Sequence, residues 1–131
     1  MQRRRLILTA IAAAAPLRAA VAGEALPARG LALVMVDRPG CGYCRAWKRE
    51  ILPGFASHPQ GRAAPLTIVQ MDGPWPDGLA LARAPFFTPT FILLHDRAEV
   101  ARLEGYPGKR HFWPEIDRML ATDAALRGAA L

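Results

Sequence analysis

The first half of the chain combines one continuous apolar run with one stretch of helical spacing. Residues 31–37 read Leu-Ala-Leu-Val-Met-Val-Asp, a pattern typical of a strand that is buried on both faces. After Pro39-Gly40, the side chains of Cys44, Trp47 and Ile51 fall on one face of a helix. We predict that this helix runs from about residue 43 to 52, since the following Pro-Gly pair cannot continue it.

The second half predicts strands that are separated by loops. A polar connection at 57–64 leads to a strand at 65–72, which should lie parallel to the first because one helix intervenes. A tight turn at Asp96-Arg97 should join two antiparallel strands. The remaining predicted elements are a loop at 73–78, a helical turn at 79–83, strands at 90–94 and 99–104, a helix at 109–122, and a frayed end after residue 123.

Residues 1–22 have the pattern of an export signal. Three arginines precede an alanine-rich apolar stretch, and Ala20-Val21-Ala22 offers a small-x-small cleavage site. We predict Sec or twin-arginine export, a periplasmic location and a single domain at 23–131. Without this segment, thirteen basic and eleven acidic residues remain, so that the net charge falls from +6 to about +2. The charge therefore gives little support to a nucleic-acid partner, and none is predicted.

Candidate chemistry is concentrated at Cys41 and Cys44, the only cysteines in the sequence. A C-x-x-C pair between a strand and a helix is typical of a redox site. The helix start places Cys41 beside unpaired backbone N–H groups, which favour a thiolate, whereas Cys44 lies one turn further in and should be covered. Arg45 and Lys48 add positive charge nearby. We predict that Cys41 attacks a partner disulfide and that Cys44 resolves the mixed disulfide.

Two thiolates also suit other chemistry. A zinc site needs four ligands, and the chain offers two cysteines and three scattered histidines. Haem attachment needs a histidine after the second cysteine, where this chain has Arg45. We therefore predict no metal cofactor and no other cofactor. A Cu(I) carrier that uses both thiolates and a purely structural disulfide stay open as alternatives.

Two motifs give the chain a resemblance to thioredoxin-like proteins: Cys41-Gly42-Tyr43-Cys44 after the first strand and Thr88-Pro89 before the third. Within that group it is most similar to the small exported thioredoxins associated with bacterial sulfur-oxidation (Sox) systems. The resemblance implies an α/β thioredoxin-like fold, a minimal β-α-β-β-β-α arrangement with a mixed central sheet. The further matching stretches are Ala46-Trp47, residues 62–66, Thr90, residues 104–108 and Phe112-Trp113.

The resemblance also implies a substrate groove beside the cysteines. It places a cis-proline at Pro89, facing the redox pair, and leaves the backbone of Thr88 free to pair with an extended substrate segment. Gly42 keeps the turn open so that a protein substrate approaches closely. Tyr43 either packs beside the substrate or covers the helix.

The resemblance leaves the role of Gly105 and Tyr106 open, and the chain departs from thioredoxin at one buried position. Gly105 and Tyr106 form either a third wall of the groove or an ordinary turn. The buried aspartate of thioredoxin falls near Met35 here, so no proton shuttle through that carboxylate is expected. Asp37 and His95 are not obvious substitutes for it.

The expected function is that of a periplasmic thiol–disulfide oxidoreductase that reduces or exchanges disulfides of exported partner proteins. Its electrons would come from a membrane thiol reductase or from another thiol pool. The alternatives are a Cu(I)-binding metallochaperone and a disulfide isomerase-like exchanger. The tetrad with threonine before the proline is also that of exported isomerases, but those carry a dimerisation domain for which this sequence has no residues.

Overall fold

A mixed four-stranded sheet lies at the centre of the computed structural model, which describes residues 26–129. The strands are β1 (Leu31–Asp37), β2 (Leu66–Gln70), β3 (Thr90–His95) and β4 (Ala98–Glu104), in the spatial order β2-β1-β3-β4. β1 is parallel to β2 and antiparallel to β3, which is antiparallel to β4. The predicted α/β arrangement with a mixed sheet is confirmed. The predicted signal, residues 1–22, lies outside the described residues.

Within residues 26–129, three α-helices and one 3₁₀ helix accompany the sheet. They are α1 (Gly42–Glu50), a 3₁₀ helix (Leu52–Ser57), α2 (Pro59–Ala63) and α3 (Lys109–Ala129). α2 occupies much of the segment 57–64 that was predicted as a polar connection, and the 3₁₀ helix lies just before it. In both, a proline stands in the first turn, where its missing N–H costs no helical hydrogen bond. None of these helices is long and apolar enough to cross a membrane.

The predicted helical turn at 79–83 is wrong. Ala80 instead forms an isolated bridge with Ala98 at the start of β4. Its N–H donates to the carbonyl of Arg97 at 3.0 Å, and its carbonyl accepts from the N–H of Glu99 at 2.8 Å. Because both backbone groups of Ala80 are engaged by β4, they are not available for helical hydrogen bonds.

The C-terminal helix is longer than predicted, and the expectation of a frayed end after residue 123 is wrong. α3 continues through Asp123, which is buried, to Ala129. Oδ1 of Asp123 lies 2.9 Å from Nδ1 of His95 at the end of β3 and 3.3 Å from Nε of Arg127. This contact with the sheet holds the last turns of the helix in place.

The core has two parts, one on each face of the sheet, because alternate side chains of β1 point in opposite directions. The front cluster lies between the sheet and the helices, and it centres on Trp47, Phe91 and Phe112, whose ring centroids are 5.0–5.8 Å apart. The rear cluster is covered by residues of segment 71–81, including Trp75. Its buried members are Leu26, Ala32, Val34, Val36, Val69, Ile92 and Leu94.

The hairpin between β3 and β4 has the predicted tight turn. Asp96 and Arg97 adopt φ angles of 50° and 65°, which fit a two-residue turn between twisted antiparallel strands. The carboxylate of Asp96 accepts a hydrogen bond from the N–H of Gly30 at 2.6 Å. This backbone hydrogen bond holds the pKa of Asp96 below its usual value.

Candidate redox site

Cys41 and Cys44 form a disulfide at the start of α1, with their Cα atoms 5.2 Å apart. Cys41 is the extended N-cap residue of the helix, and its Sγ accepts a hydrogen bond from the N–H of Cys44 at 3.1 Å. The predicted difference in exposure is present: Cys41 is partly exposed, whereas Cys44 is 1% exposed within the front cluster. Only one of the two sulfurs is thus accessible to a large partner.

A shallow groove lies on one side of the tetrad. It is lined by Tyr43, Phe87, Thr88, Glu104 and Gly105. The Thr88–Pro89 peptide bond is cis, as predicted, and Pro89 is buried. The carbonyl of Pro89 accepts from the N–H of Gly105 at 2.7 Å, which joins the turn after β4 to the proline. The structure therefore brings Tyr43, Thr88 and Gly105 together, as the groove hypothesis requires.

The sequence analysis missed two aromatic residues, Phe87, which lines this groove, and its neighbour Phe86. Phe86 and Phe87 are 79% and 54% exposed, and their rings meet edge to face with centroids 5.1 Å apart. Tyr43, also at the groove, is 70% exposed. The signal in the sequence was the aromatic pair directly before Thr88-Pro89. Large apolar side chains that are exposed together commonly mark an interaction surface.

The loop that carries these aromatics is fastened to β4. Arg102 and Glu99 pair through Nε and Oε1 at 2.8 Å, and both side chains are nearly buried. Nη2 of Arg102 donates to the carbonyl of Arg83 at 2.8 Å, and the N–H of Ala82 donates to Glu99 at the same distance. Burial raises the pKa of Glu99, but the hydrogen bonds from Arg102 and Ala82 outweigh it, so the net pKa is lowered. The loop thus presents its aromatics from a fixed base.

A second depression, here called the basic hollow, lies on the other side of Cys41. It is lined by Asp37, Arg38, Pro39, Gly40, Cys41, Arg45, Lys48 and Gln70. Asp37 ends β1, is 5% exposed, and pairs with Nζ of Lys48 and with Nε2 of Gln70, the latter at 3.2 Å. The place of Asp37 beside the cysteines was not predicted, since its side-chain partners come from α1 and β2.

Tyr106 lies outside the lining of the groove. Its hydroxyl donates to the carboxylate of Glu50 at the end of α1, and its ring contacts Phe112. Burial, followed by the hydrogen bond to Glu50, raises the pKa of Tyr106 above the usual value. Tyr106 therefore joins the turn after β4 to α1, which agrees with the structural alternative for this position.

A metal site of three or more ligands requires suitable side chains that lie close together. Among residues 26–129, no three His, Cys, Asp or Glu side chains are grouped as a metal site would require.

Comparison with solved structures identifies the family. The periplasmic thioredoxin SoxS from Paracoccus pantotrophus, in its reduced form, is 47% identical, with a TM-score of 0.69 over 71% of this chain and 98% of SoxS. This chain belongs to the thioredoxin-like family. With a C-x-x-C disulfide at the family position, it is a thiol–disulfide oxidoreductase.

More distant structures are also similar. Fasciola hepatica thioredoxin is 20% identical, with a TM-score of 0.49, and 70% of this chain and 84% of that protein are covered. Malassezia sympodialis thioredoxin is 15% identical, with a TM-score of 0.47, and 70% and 78% are covered. These likenesses are too weak to inform the chemistry of the site. No protein-family model and no curated protein matches the chain.

Proposed function

We propose that the protein is an exported, reductase-type thioredoxin that transfers electrons from its Cys41/Cys44 dithiol to disulfides of partner proteins. The difference in exposure between the two sulfurs carries this proposal, since an accessible thiol can attack a large partner while a shielded thiol resolves the mixed disulfide. The predicted signal at 1–22 and the similarity to a periplasmic thioredoxin support export.

The proposed reaction has two exchange steps. The Cys41 thiolate attacks one sulfur of the partner disulfide, that disulfide breaks, and the displaced partner sulfur leaves as a thiolate that takes up a proton. Cys44 then loses its proton and attacks Sγ of Cys41, which releases the second partner thiol and closes the Cys41–Cys44 disulfide. The partner gains two electrons and two protons. An external thiol donor, such as a membrane thiol reductase, regenerates the dithiol.

The groove gives the attacking sulfur a place to receive a polypeptide. The backbone of Thr88 is positioned beside the buried cis-proline, where an extended segment can add as a short strand. Tyr43 and Phe87 offer apolar contact on the same side. Gly42 adds no side chain beside the cysteines, which permits close approach of a polypeptide.

The proposal is tested by trapping partners with single-cysteine variants. Exported Cys44→Ser protein should accumulate disulfide-linked adducts on non-reducing gels, because the resolving thiol is gone. The matched control is Cys41→Ser, whose remaining thiol is 1% exposed and should capture few partners. Equal trapping by the two variants, or none by either, would contradict the exchange mechanism.

Two further measurements address the reductase direction and the attacking group. Equilibration with glutathione buffers should give a potential nearer to about −270 mV, as in thioredoxin, than to about −120 mV, as in a strong oxidant. In the Cys44→Ser protein, thiolate absorbance should report a pKa of Cys41 below the ordinary value of about 8.5, because the helix N-terminus stabilises the anion. A value at or above 8.5 would remove the argument for Cys41.

A further inference from the structure

We infer that the preferred partner segment has a defined polarity: an apolar side chain on one side of its reactive cysteine and an acidic side chain on the other. This inference rests on the proposed function and adds a substrate preference to it. It follows from the two unlike surfaces on either side of Cys41. These are the shallow groove that carries Tyr43 and Phe87, and the basic hollow.

The apolar preference follows from exposed aromatics that no part of residues 26–129 covers. Tyr43, Phe86 and Phe87 are each more than half exposed. The loop that carries the two phenylalanines is held by Arg102, and Thr90 Oγ1 donates to the carbonyl of Phe87 at 2.6 Å. A surface that is already ordered loses little conformational entropy when an apolar side chain docks on it.

The acidic preference follows from arginines that are not neutralised locally. Within residues 26–129, Arg38 and Arg45 form no ion pair, and both are exposed at the basic hollow. Nη2 of Arg45 lies 3.7 Å from the position that a Cβ would take on Gly42, so its guanidinium rests against the redox tetrad. Lys48 in the same hollow is already paired with Asp37. Charge complementarity therefore selects an acidic residue in the partner.

A second copy of this chain is a less suitable occupant. A symmetric contact made through this face would bring Arg38 and Arg45 of both copies into one interface, where like charges repel. An acidic, extended polypeptide satisfies both surfaces at once. We therefore assign the face to a partner protein and not to self-association.

The test measures how fast the reduced protein reduces symmetric disulfides of short peptides. Each peptide has one cysteine, a phenylalanine on one side and a glutamate, glutamine or lysine on the other, in both sequence orders. We expect the better glutamate peptide to react about 3–10-fold faster than its lysine counterpart at low salt, as one or two exposed charge pairs allow. The preference should shrink as ionic strength rises. Replacing phenylalanine with serine should slow the reaction.

Charge variants locate the effect. The glutamate-to-lysine rate ratio should fall toward one in the Arg38→Gln, Arg45→Gln double variant. The matched control is Arg49→Gln, which alters an exposed arginine on α1 outside the hollow and should keep most of the ratio. Equal rates for all peptides, or an equal loss of the ratio in Arg49→Gln, would overturn the inference.

Two controls separate this inference from its alternatives. Reduction of the neutral 2-hydroxyethyl disulfide reports the basic exchange activity. A protein that reduces it but ignores peptide charge refutes only the partner preference, whereas a protein that cannot reduce it refutes the proposed function. Sedimentation across a concentration series reports self-association. A dimer that dissociates in Phe86→Ala would assign the aromatic surface to a second copy and overturn the inference.

Discussion

The ion pair between Asp37 and Lys48 in the basic hollow should stabilise the fold next to the redox site. Asp37 ends β1 immediately before the turn to Cys41, and Lys48 holds its carboxylate from α1. Replacing Lys48 with methionine keeps most of the side-chain volume but leaves the carboxylate with Gln70 as its remaining side-chain donor. We expect Lys48→Met to destabilise the protein.

The magnitude follows from the burial of the two partners. Breaking a fully buried pair costs about 3–5 kcal/mol, because an uncompensated charge is left behind. The Asp37 side chain is 7% exposed, but that of Lys48 is 38% exposed, so water partly replaces the ammonium. We therefore expect a loss of about 1–2 kcal/mol, which lowers the melting temperature by roughly 5–15 °C in a domain of this size.

A double-mutant cycle with Asp37→Asn, followed by urea unfolding, measures the pair itself. The double variant should be more stable than the sum of the single changes predicts, by about 1 kcal/mol, because removing the acid also removes the unpaired charge. Arg49→Met on the same helix is the matched control and should change stability little, since Arg49 is exposed. Additive single effects within about 0.5 kcal/mol, or an equal loss in Arg49→Met, would refute the reasoning.

Two further predictions concern the supports of the site. Gly61→Ala should destabilise the protein by about 1–3 kcal/mol in urea unfolding, because the new Cβ would lie 1.9 Å from the carbonyl oxygen of Phe55. The control is Gly128→Ala, whose new Cβ would have no atom within 4 Å and should not destabilise the protein. Equal effects of the two changes would exclude the clash. In a Tyr43→Phe protein, Tyr106 is the remaining tyrosine, and its tyrosinate absorbance should appear at a higher pH than the ordinary pKa of about 10. Burial and the hydrogen bond to Glu50 favour the neutral phenol. Since the pKa is raised in the folded state, the stability that this group contributes should be complete below about pH 10 and should fall as the pH rises further. The fall should be smaller in a Tyr106→Phe variant. A midpoint of tyrosinate absorbance at the ordinary pKa would contradict this prediction.

Local patterns accounted for the elements that position the cysteines. The apolar run of β1 and the spacing of Cys44, Trp47 and Ile51 reflect burial of those side chains. Such a pattern of apolar positions is visible within about ten residues of sequence. The exposed and buried cysteines follow from the same helix geometry. The sequence was thus sufficient for the redox tetrad, its helix and the strand before it.

Long-range partners account for what the sequence did not show. The last turns of α3 depend on a contact between Asp123 and His95, which are 28 residues apart in the chain. Ala80 is extended because of backbone hydrogen bonds to Arg97 and Glu99. The aromatic pair at 86–87 was visible in the sequence, but its exposure was not, because burial of aromatics depends on the surrounding elements.

The unequal covering of the two faces of the sheet has an evolutionary consequence. The face toward Cys44 is packed by α1 and α3, whereas the opposite face is covered by the irregular segment 71–81. Irregular surface segments accept insertions and substitutions more readily than packed helices do. Insertions or substitutions in this rear covering should therefore leave the geometry of the cysteine pair intact more readily than changes in α1 or α3.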